Sequence, residues 1–297
     1  LSALIIGDGN FMYFKKGGFN LGVDFKGGRS YVVRFDKPIS PETVIKTLTG
    51  SFGGEKPEVK TYGSSNQLKI TTTYLIAESS EEAEALVETK LNEGLSSAAT
   101  DNPYSIESQT KVGETISRDI RNASVWTVAF SCIVMFLYIL LRFKKWQYGL
   151  GATVAVVHDV ALVLSVYLIF DGLLPFTLEI DQHFIAAILT VIGYSMTDTV
   201  VVFDRVREFL TGQNKKDVVG EERRNLINYA LNATLSRTMI TSLTTFFVLL
   251  TIFIFGSEVI RGFTFALLVG IIIGTYSSLC IASPVVVDLD KKGKSEN

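Results

Sequence analysis

Cysteine and histidine are almost missing from this sequence, with two of each in 297 residues. Cys132 and Cys280 both fall inside apolar runs. They supply neither a disulfide framework nor a CxxC metal site, and they carry no information about redox compartment. His158 and His183 are too few and too scattered to make a metal centre. An excess of positive charge is also lacking: 28 Lys and Arg face 30 Asp and Glu, for a net charge of -2. That balance excludes a basic nucleic-acid binder. No pattern suggests a nucleotide or organic cofactor. What the chain does have is apolar residues, 47% of the total, alongside 20% charged ones. A mean hydropathy of +0.32 is too high for an ordinary soluble enzyme, and the charge is too high for a chain lying wholly in lipid. The average therefore conceals two unlike halves, which change over near Arg121.

A helix needs about 20 apolar residues to cross ~30 Å of hydrocarbon, at ~1.5 Å per residue. Five segments meet that requirement: Ala123–Leu141, Trp146–Phe170, Gln182–Phe203, Thr238–Ser257 and Gly262–Val287. Twelve Lys and Arg occupy one set of connections and the tail: 142, 144 and 145, then 205, 207, 215, 216, 223 and 224, then 291, 292 and 294. The opposite set holds only Arg261. The positive-inside rule places the first set, and the C-terminus, in the cytoplasm. Trp126 and Trp146 mark the two ends of the first full span. That span then runs inward, so the preceding domain, residues 29–118, is expected outside the cytoplasm. Such a domain needs an earlier outward span. The apolar Leu1–Ile6 reads as the stub of a truncated one, with a mature chain left by signal cleavage as the alternative.

Three regions are therefore expected: 1–28 as stub and connector, 29–118 as an α+β domain, and 119–297 as the transmembrane part. Within the domain, Ser30–Phe35 reads as a strand and Pro41–Leu48 opens a helix after Ser40. Val59–Tyr62 and Gln67–Tyr74 form a hairpin about Gly63–Asn66, and Tyr104–Thr110 is a last strand. Glu81–Leu95 is amphipathic, with Ala83, Leu86, Val87, Leu91 and Leu95 on one face and Ser79 or Ser80 as cap. The order βαββαβ is the ferredoxin-like plait. The fold class expected is a polytopic α-helical bundle of five full spans and a truncated first one, carrying that small domain. The domain contains neither histidine nor cysteine, which argues against a zinc or nucleophilic site in it.

Candidate functional residues lie in and beside the spans. Asp24, Gly27 and Gly28 form a tight structural turn; Gly28 stands where a phosphate loop would need lysine. Asp198 lies six residues before Asp204, roughly 9 Å inside the cytoplasmic end of its span. Burial there costs a carboxylate about 2–3 kcal/mol, relieved in part by Ser195 and Thr199 on the adjacent face or turn. Arg237 opens the next span, and with Thr241 and Thr244 or Thr245 it recurs at helical spacing, a polar stripe that must face protein or water. Asp198 and Arg237 at similar depth on antiparallel helices form a candidate proton relay; a snorkelling arginine is the alternative. His158 and Asp159 sit near mid-membrane, as a second relay position or a structural hydrogen bond. Gly270 and Gly274 give the last span a face for close helix packing. Tyr229–Asn232 reads as part of an amphipathic helix on the cytoplasmic surface.

Five segments carry a family resemblance: GVDFKGG (Gly22–Gly28), AVVHDV (Ala155–Val160), IGYSMTDTVVVFDRVRE (Ile192–Glu208), TLSRTMITSLTT (Thr234–Thr245) and GIIIGTYSS (Gly270–Ser278). In this order they resemble the SecF family of bacterial protein-export membrane proteins, within the resistance–nodulation–division group. Met196-Thr197 departs from the Ile-Asn common before the family's aspartate. The resemblance implies an inner-membrane subunit that uses the proton gradient to promote preprotein translocation. Asp198 and Arg237 would then be the proton-bearing pair, supported by Asp159, His158, Ser195, Thr199 and Thr241. Implied partners are SecD, as a separate chain or as the other half of a fused one, the SecYEG translocon, the translocating preprotein, membrane lipid and protons. A passive scaffold linking SecD to the translocon and a proton-driven efflux subunit are the other two readings. The cost of burying the Asp–Arg pair favours a motor over a scaffold, and a domain of about 80 residues is small for an efflux porter.

Overall fold

The computed structural model of the protein describes residues 1–78, 80–212 and 220–289. The chain divides into two compact units. One holds residues 18–125 together with 170–182; the other holds 1–17, 126–169 and 183–297.

The chain opens with helix α1 (Ser2–Lys16), which runs well past the apolar Leu1–Ile6 and ends on a left-handed Gly17. A single helical turn, α2 (Val23–Lys26), precedes the α+β elements. These are β1 (Gly28–Phe35), α3 (Pro41–Ser51), β2 (Glu58–Tyr62), β3 (Ser64–Thr72), α4 (Glu81–Ala98) and β4 (Tyr104–Val112). The sheet order is β2-β3-β1-β4, antiparallel throughout. This is the order of the ferredoxin-like plait.

One face of the sheet carries Tyr31, Val33, Phe35, Leu68 and Ile70. Their alternate spacing along β1 and β3 is the period of a half-buried strand. They pack on Val44 and Leu48 of α3 and on Val87, Leu91 and Leu95 of α4. Leu86 departs from the expected face and is 43% exposed; Gly94 is buried in its stead. A tight crossing explains the glycine, since a Cβ there would lie 2.5 Å from Leu48 Cδ2 and 3.2 Å from Leu48 Cα. Ser80 caps α4 by accepting the Ala83 amide, whereas Ser40 precedes α3 without a side-chain cap. Ser79 lies outside the described residues. The hairpin is tighter than expected. Gly63 alone links the strands, at φ 77°, and Asn66 belongs to β3 and donates to the Phe35 carbonyl at 2.8 Å.

The Asp24–Gly28 turn does more than reverse the chain. Gly27 and Gly28 have φ of 75° and 140°, values that exclude a side chain without strain. Just before them, Gly22 donates to the Ile180 carbonyl at 2.9 Å and Ile180 to the Asn20 carbonyl at 2.8 Å. Asp24 Oδ2 accepts the distant Gln182 amide at 3.1 Å. Lys69 and Glu179 add an ion pair at 2.6 Å.

The long helices are α5 (Glu114–Phe143), α6 (Trp146–Phe170), α7 (Gln182–Gly212), α8 (Gly220–Phe255) and α9 (Glu258–Ser277). A π-helical turn, Ser278–Ala282, leads from α9 into α10 (Ser283–Leu289). Among the described residues, five helical stretches are long and apolar enough to cross a membrane, counting α9 through α10 as one. Several helices outrun their apolar segments: α5 starts nine residues before Ala123, and α8 carries the Tyr229–Asn232 region as a continuous part of a 36-residue helix. Bilayer thickness limits the apolar stretch, but intrahelical bonding continues through polar residues. Lys215, Lys216, Lys291, Lys292 and Lys294 lie outside the described residues, as does the Arg223 side chain.

Burial separates the long helices into two classes. In their most apolar windows α6, α7 and the α9–α10 stretch are 44, 50 and 56% buried, against 6 and 11% for α5 and α8. A Cβ on Gly270 would overlap Val191, and one on Gly274 would sit 3.1 Å from Ser195 Cβ, so α9 meets α7 at nearly backbone distance. The π turn follows from Pro284, whose ring conflicts with the carbonyl four residues earlier, at Cys280 in the centre of the turn. Ser283 Oγ bonds the Ser278 carbonyl at 3.2 Å.

Gly94→Val should drive a branched side chain into Leu48 and cost about 1–3 kcal/mol. Amide exchange of the full chain should then show lost protection in α3 and α4 and unchanged protection in α6 and α7. Unaltered exchange in α3 would contradict the tight crossing.

Candidate functional site

Among the described residues, two carboxylates are buried in the helical unit, Asp159 on α6 and Asp198 on α7, at 1% and 6% exposure. Each needs donors, because an ionisable group in hydrocarbon without partners costs several kcal/mol. The two obtain them from different helices.

Asp159 Oδ2 accepts Ser195 Oγ of α7 at 2.6 Å and Ser277 Oγ of α9 at 2.7 Å. Its Oδ1 lies 3.1 Å from Nδ1 of His158. Ser195 therefore serves Asp159, not Asp198 as the sequence suggested. The reason is helical phase: Ser195 points to the side of α7 that meets Gly274, and Asp198, three residues on, is turned toward α8.

Asp198 Oδ2 accepts a long bond, 3.4 Å, from Ser242 Oγ of α8. Ser242 in turn accepts Thr275 Oγ1 of α9 at 2.7 Å and the Tyr194 hydroxyl of α7 at 3.2 Å. Hydroxyls from two helices, α7 and α9, thus converge on one serine of α8 that faces the carboxylate. Thr199, expected beside Asp198, is buried but donates to the Ser195 carbonyl at 2.9 Å.

Arg237 and Asp198 form no ion pair in this structure. Arg237 is exposed and close enough to act on Asp198 electrostatically. It lines an open cavity of about 930 Å³ with Val201, Asp204, Arg205, Ala233 and Thr234. Nor does the stripe Arg237–Thr241–Thr244 face inward. Thr241 is exposed and donates to the Arg237 carbonyl at 2.9 Å, and Thr244 donates to the Thr241 carbonyl at 2.8 Å. The inward stripe is one residue out of phase: Thr234, Thr238 and Ser242, at 5, 2 and 7% exposure. Its i, i+4, i+8 spacing stood in the sequence, and counting from Arg237 obscured it. Tyr194, Ser242, Thr275 and Ser277 are the residues of these clusters that sequence reasoning left out of the site.

At the Asp204 end of α7, Arg142 donates to both carboxylate oxygens of Asp204, at 2.9 and 3.1 Å. Arg207 approaches the same carboxylate at 3.3 Å. Among the described residues no group of three or more His, Cys, Asp or Glu side chains is placed to hold a metal ion.

Comparison with known proteins places the chain in a family. Residues 93–292 match the family described as protein export membrane protein SecD/SecF, C-terminal. The chain is 41% identical to the protein translocase subunit SecF of Rhodothermus marinus over 272 residues, which cover 92% of this chain and 84% of that protein. The chain belongs to the SecD/SecF family. It is likewise 38% identical to the SecF subunit of Thermodesulfovibrio yellowstonii, over 98% of this chain and 91% of that one. Residues 16–39, which include Asp24, Gly27 and Gly28, match the SecD/SecF GG motif. A crystal structure of SecDF in a super-membrane-facing form superposes with a TM-score of 0.60 at 30% identity, covering 97% of this chain. The chain spans 36% of the length of that SecDF. Like its relatives it is a multi-pass inner-membrane protein, and every residue of both carboxylate clusters falls inside the SecD/SecF match.

Because Ser242 links three helices to Asp198, Ser242→Ala should lower the stability of the bundle by about 0.6–1.7 kcal/mol, the range of interhelical hydrogen bonds in membranes. Thr241→Ala, which removes a hydroxyl turned back on its own helix, should stay within about 0.5 kcal/mol. Reversible unfolding in mixed micelles measures both. Equal losses would contradict the inward phase of the Ser242 stripe.

Proposed function

We propose that this chain is a SecF subunit of the Sec protein-export machinery, in which Asp198 takes up and releases protons to drive preprotein translocation across the inner membrane. Its partners in that role are SecD, as a separate chain or a fused half, and the SecYEG translocon. The observation that carries the reading is Asp198 itself, a carboxylate buried among helices with a hydroxyl for a neighbour and, among the described residues, no cation in contact.

Desolvation disfavours a charged carboxylate and a nearby guanidinium favours it. With Arg237 held off, as here, the site suits a proton-bearing Asp198. Arg237 moving inward from its cavity would favour the carboxylate and release the proton. Asp198 could not release a proton without that approach, and a permanently paired Asp198 could never take one up. Alternation between the two arrangements is a relay, and each charge crossing the membrane potential supplies about 2.3 kcal/mol per 100 mV. Ser242, with Thr275 and Tyr194 behind it, keeps the unpaired state satisfied. Asp159, with His158 beside it, and Ser195 support the relay by fixing α7 against α6 and α9, and Thr199 braces the turn of α7 between Ser195 and Asp198. Thr241 acts on the arginine's own turn.

The test is gradient-dependent translocation by reconstituted complex. Asp198→Asn keeps shape and hydrogen bonding but cannot carry a proton, so the gradient-dependent part should disappear while assembly with SecD persists. Full translocation by this variant would instead support a passive scaffold. Arg237→Lys should lose much of the same activity, because a lysine can snorkel but lacks the planar fork. In an Asp198→Asn background Arg237→Ala should add little. Additive losses would mean that the two residues act separately.

A further inference from the structure

The relay proposed above leaves one buried titratable pair without a proton-carrying role. Asp159 has three neighbours able to donate: the hydroxyls of Ser195 and Ser277 on Oδ2 and the His158 ring on Oδ1. Both serine bonds are short, 2.6 and 2.7 Å, as charge-assisted bonds are. A carboxylate served by donors on both oxygens is an acceptor and has no need to hold a proton itself. His158 then carries its hydrogen on Nδ1, and that fixes the tautomer. The lone pair is left on Nε2. That atom is buried and has no hydrogen-bond partner among the described residues.

We propose that His158 and Asp159 form a second proton-binding site of the bundle, a dyad in which the proton is taken up at Nε2 of His158 and its charge is balanced by Asp159. Uptake forms one N–H bond at Nε2 and turns a neutral imidazole beside a carboxylate into an imidazolium–carboxylate pair. The net charge of the dyad goes from minus one to zero, so the loaded state is the neutral one and suits hydrocarbon best. Release breaks the same bond and returns the single negative charge to the three-donor cradle.

The surroundings favour a self-contained unit. α7 presents Ser195, and α9 presents Ser277 and the Tyr276 ring, whose centroid is 6.3 Å from that of His158. α5 meets α6 at Phe136 and Gly149, far along the helix from the dyad, and α1 meets it at Gly9 and Ser165. Among the described residues, His158 is the charged or titratable group that acts on Asp159. Asp198 lies one turn along α7 from Ser195 and has its own hydroxyl partner, Ser242. Uptake at the dyad therefore does not require the Asp198 relay, and the proposal stands whether or not that relay operates.

Nitrogen NMR on ring-labelled histidine in the full chain, held in lipid nanodiscs, reads the site directly. The chain has only two histidines, so His183→Gln leaves one imidazole signal set. Nδ1 alone should carry a proton at alkaline pH, and the doubly protonated ring should form as the pH is lowered through the series. Asp159→Asn should abolish that form over the same range, while Asp198→Asn should leave it in place. Should Asp159→Asn fail to accumulate, Ser277→Ala leaves the carboxylate present with one donor fewer and should still shift the transition. A ring that stays neutral throughout would overturn the proposal, as would one that titrates identically in Asp159→Asn or Ser277→Ala. Loss of translocation in Asp198→Asn alongside an intact His158 transition separates the two sites.

Discussion

The close approach of α7 and α9 is the constraint on which the interior of the bundle depends. Gly270 and Gly274 leave no side chain between the helices, so Val191 and Ser195 of α7 rest almost on the α9 backbone. Only at that separation can Ser195 and Ser277, from opposite sides, reach one oxygen of Asp159. The same approach carries Thr275 to Ser242 and so to the neighbourhood of Asp198. Lipid provides no hydrophobic drive between helices, which makes backbone proximity and interhelical hydrogen bonds the forces available. The glycines supply the first, and the serines and threonines supply the second.

The carboxylates inside the bundle and those near its ends are handled differently. Asp204 is half exposed and holds two arginines, an arrangement that adds little stability beside water. Asp159 meets two hydroxyls and an imidazole and Asp198 meets one hydroxyl, and among the described residues neither touches a guanidinium or ammonium group. A hydroxyl shell can accommodate either protonation state by reorienting a hydrogen, whereas an ion pair is committed to one. Reversible proton binding therefore suits the interior, and ion pairing suits the ends.

In the α+β unit the glycine pair acts through its backbone. Positive φ at Gly27 and Gly28 turns the chain into β1, and the residues just before them form a short seam with residues 179–182. Asp24 ends that seam on the first amide of α7. A tight turn was legible in the sequence from the glycines. Its partner was not, because 158 residues separate Asp24 from Gln182.

Periodicity and run length in the sequence determined the spans, the order of the α+β elements, and the presence of carboxylates where hydrocarbon should be. Those features follow from rules that act along the chain: the thickness of a bilayer, the two-residue repeat of a strand, and the cost of burying charge. The tertiary structure alone decided which donor meets which acid. Ser195 lies three residues from Asp198 and yet belongs to Asp159; Ser242 and Ser277 reach their carboxylates across 44 and 118 residues. Arg237 and Ser242 differ by little more than one helical turn and face opposite ways. Such pairings depend on the rotation of each helix about its own axis, which the packing of Gly270 and Gly274 against α7 sets and which no count along one helix contains.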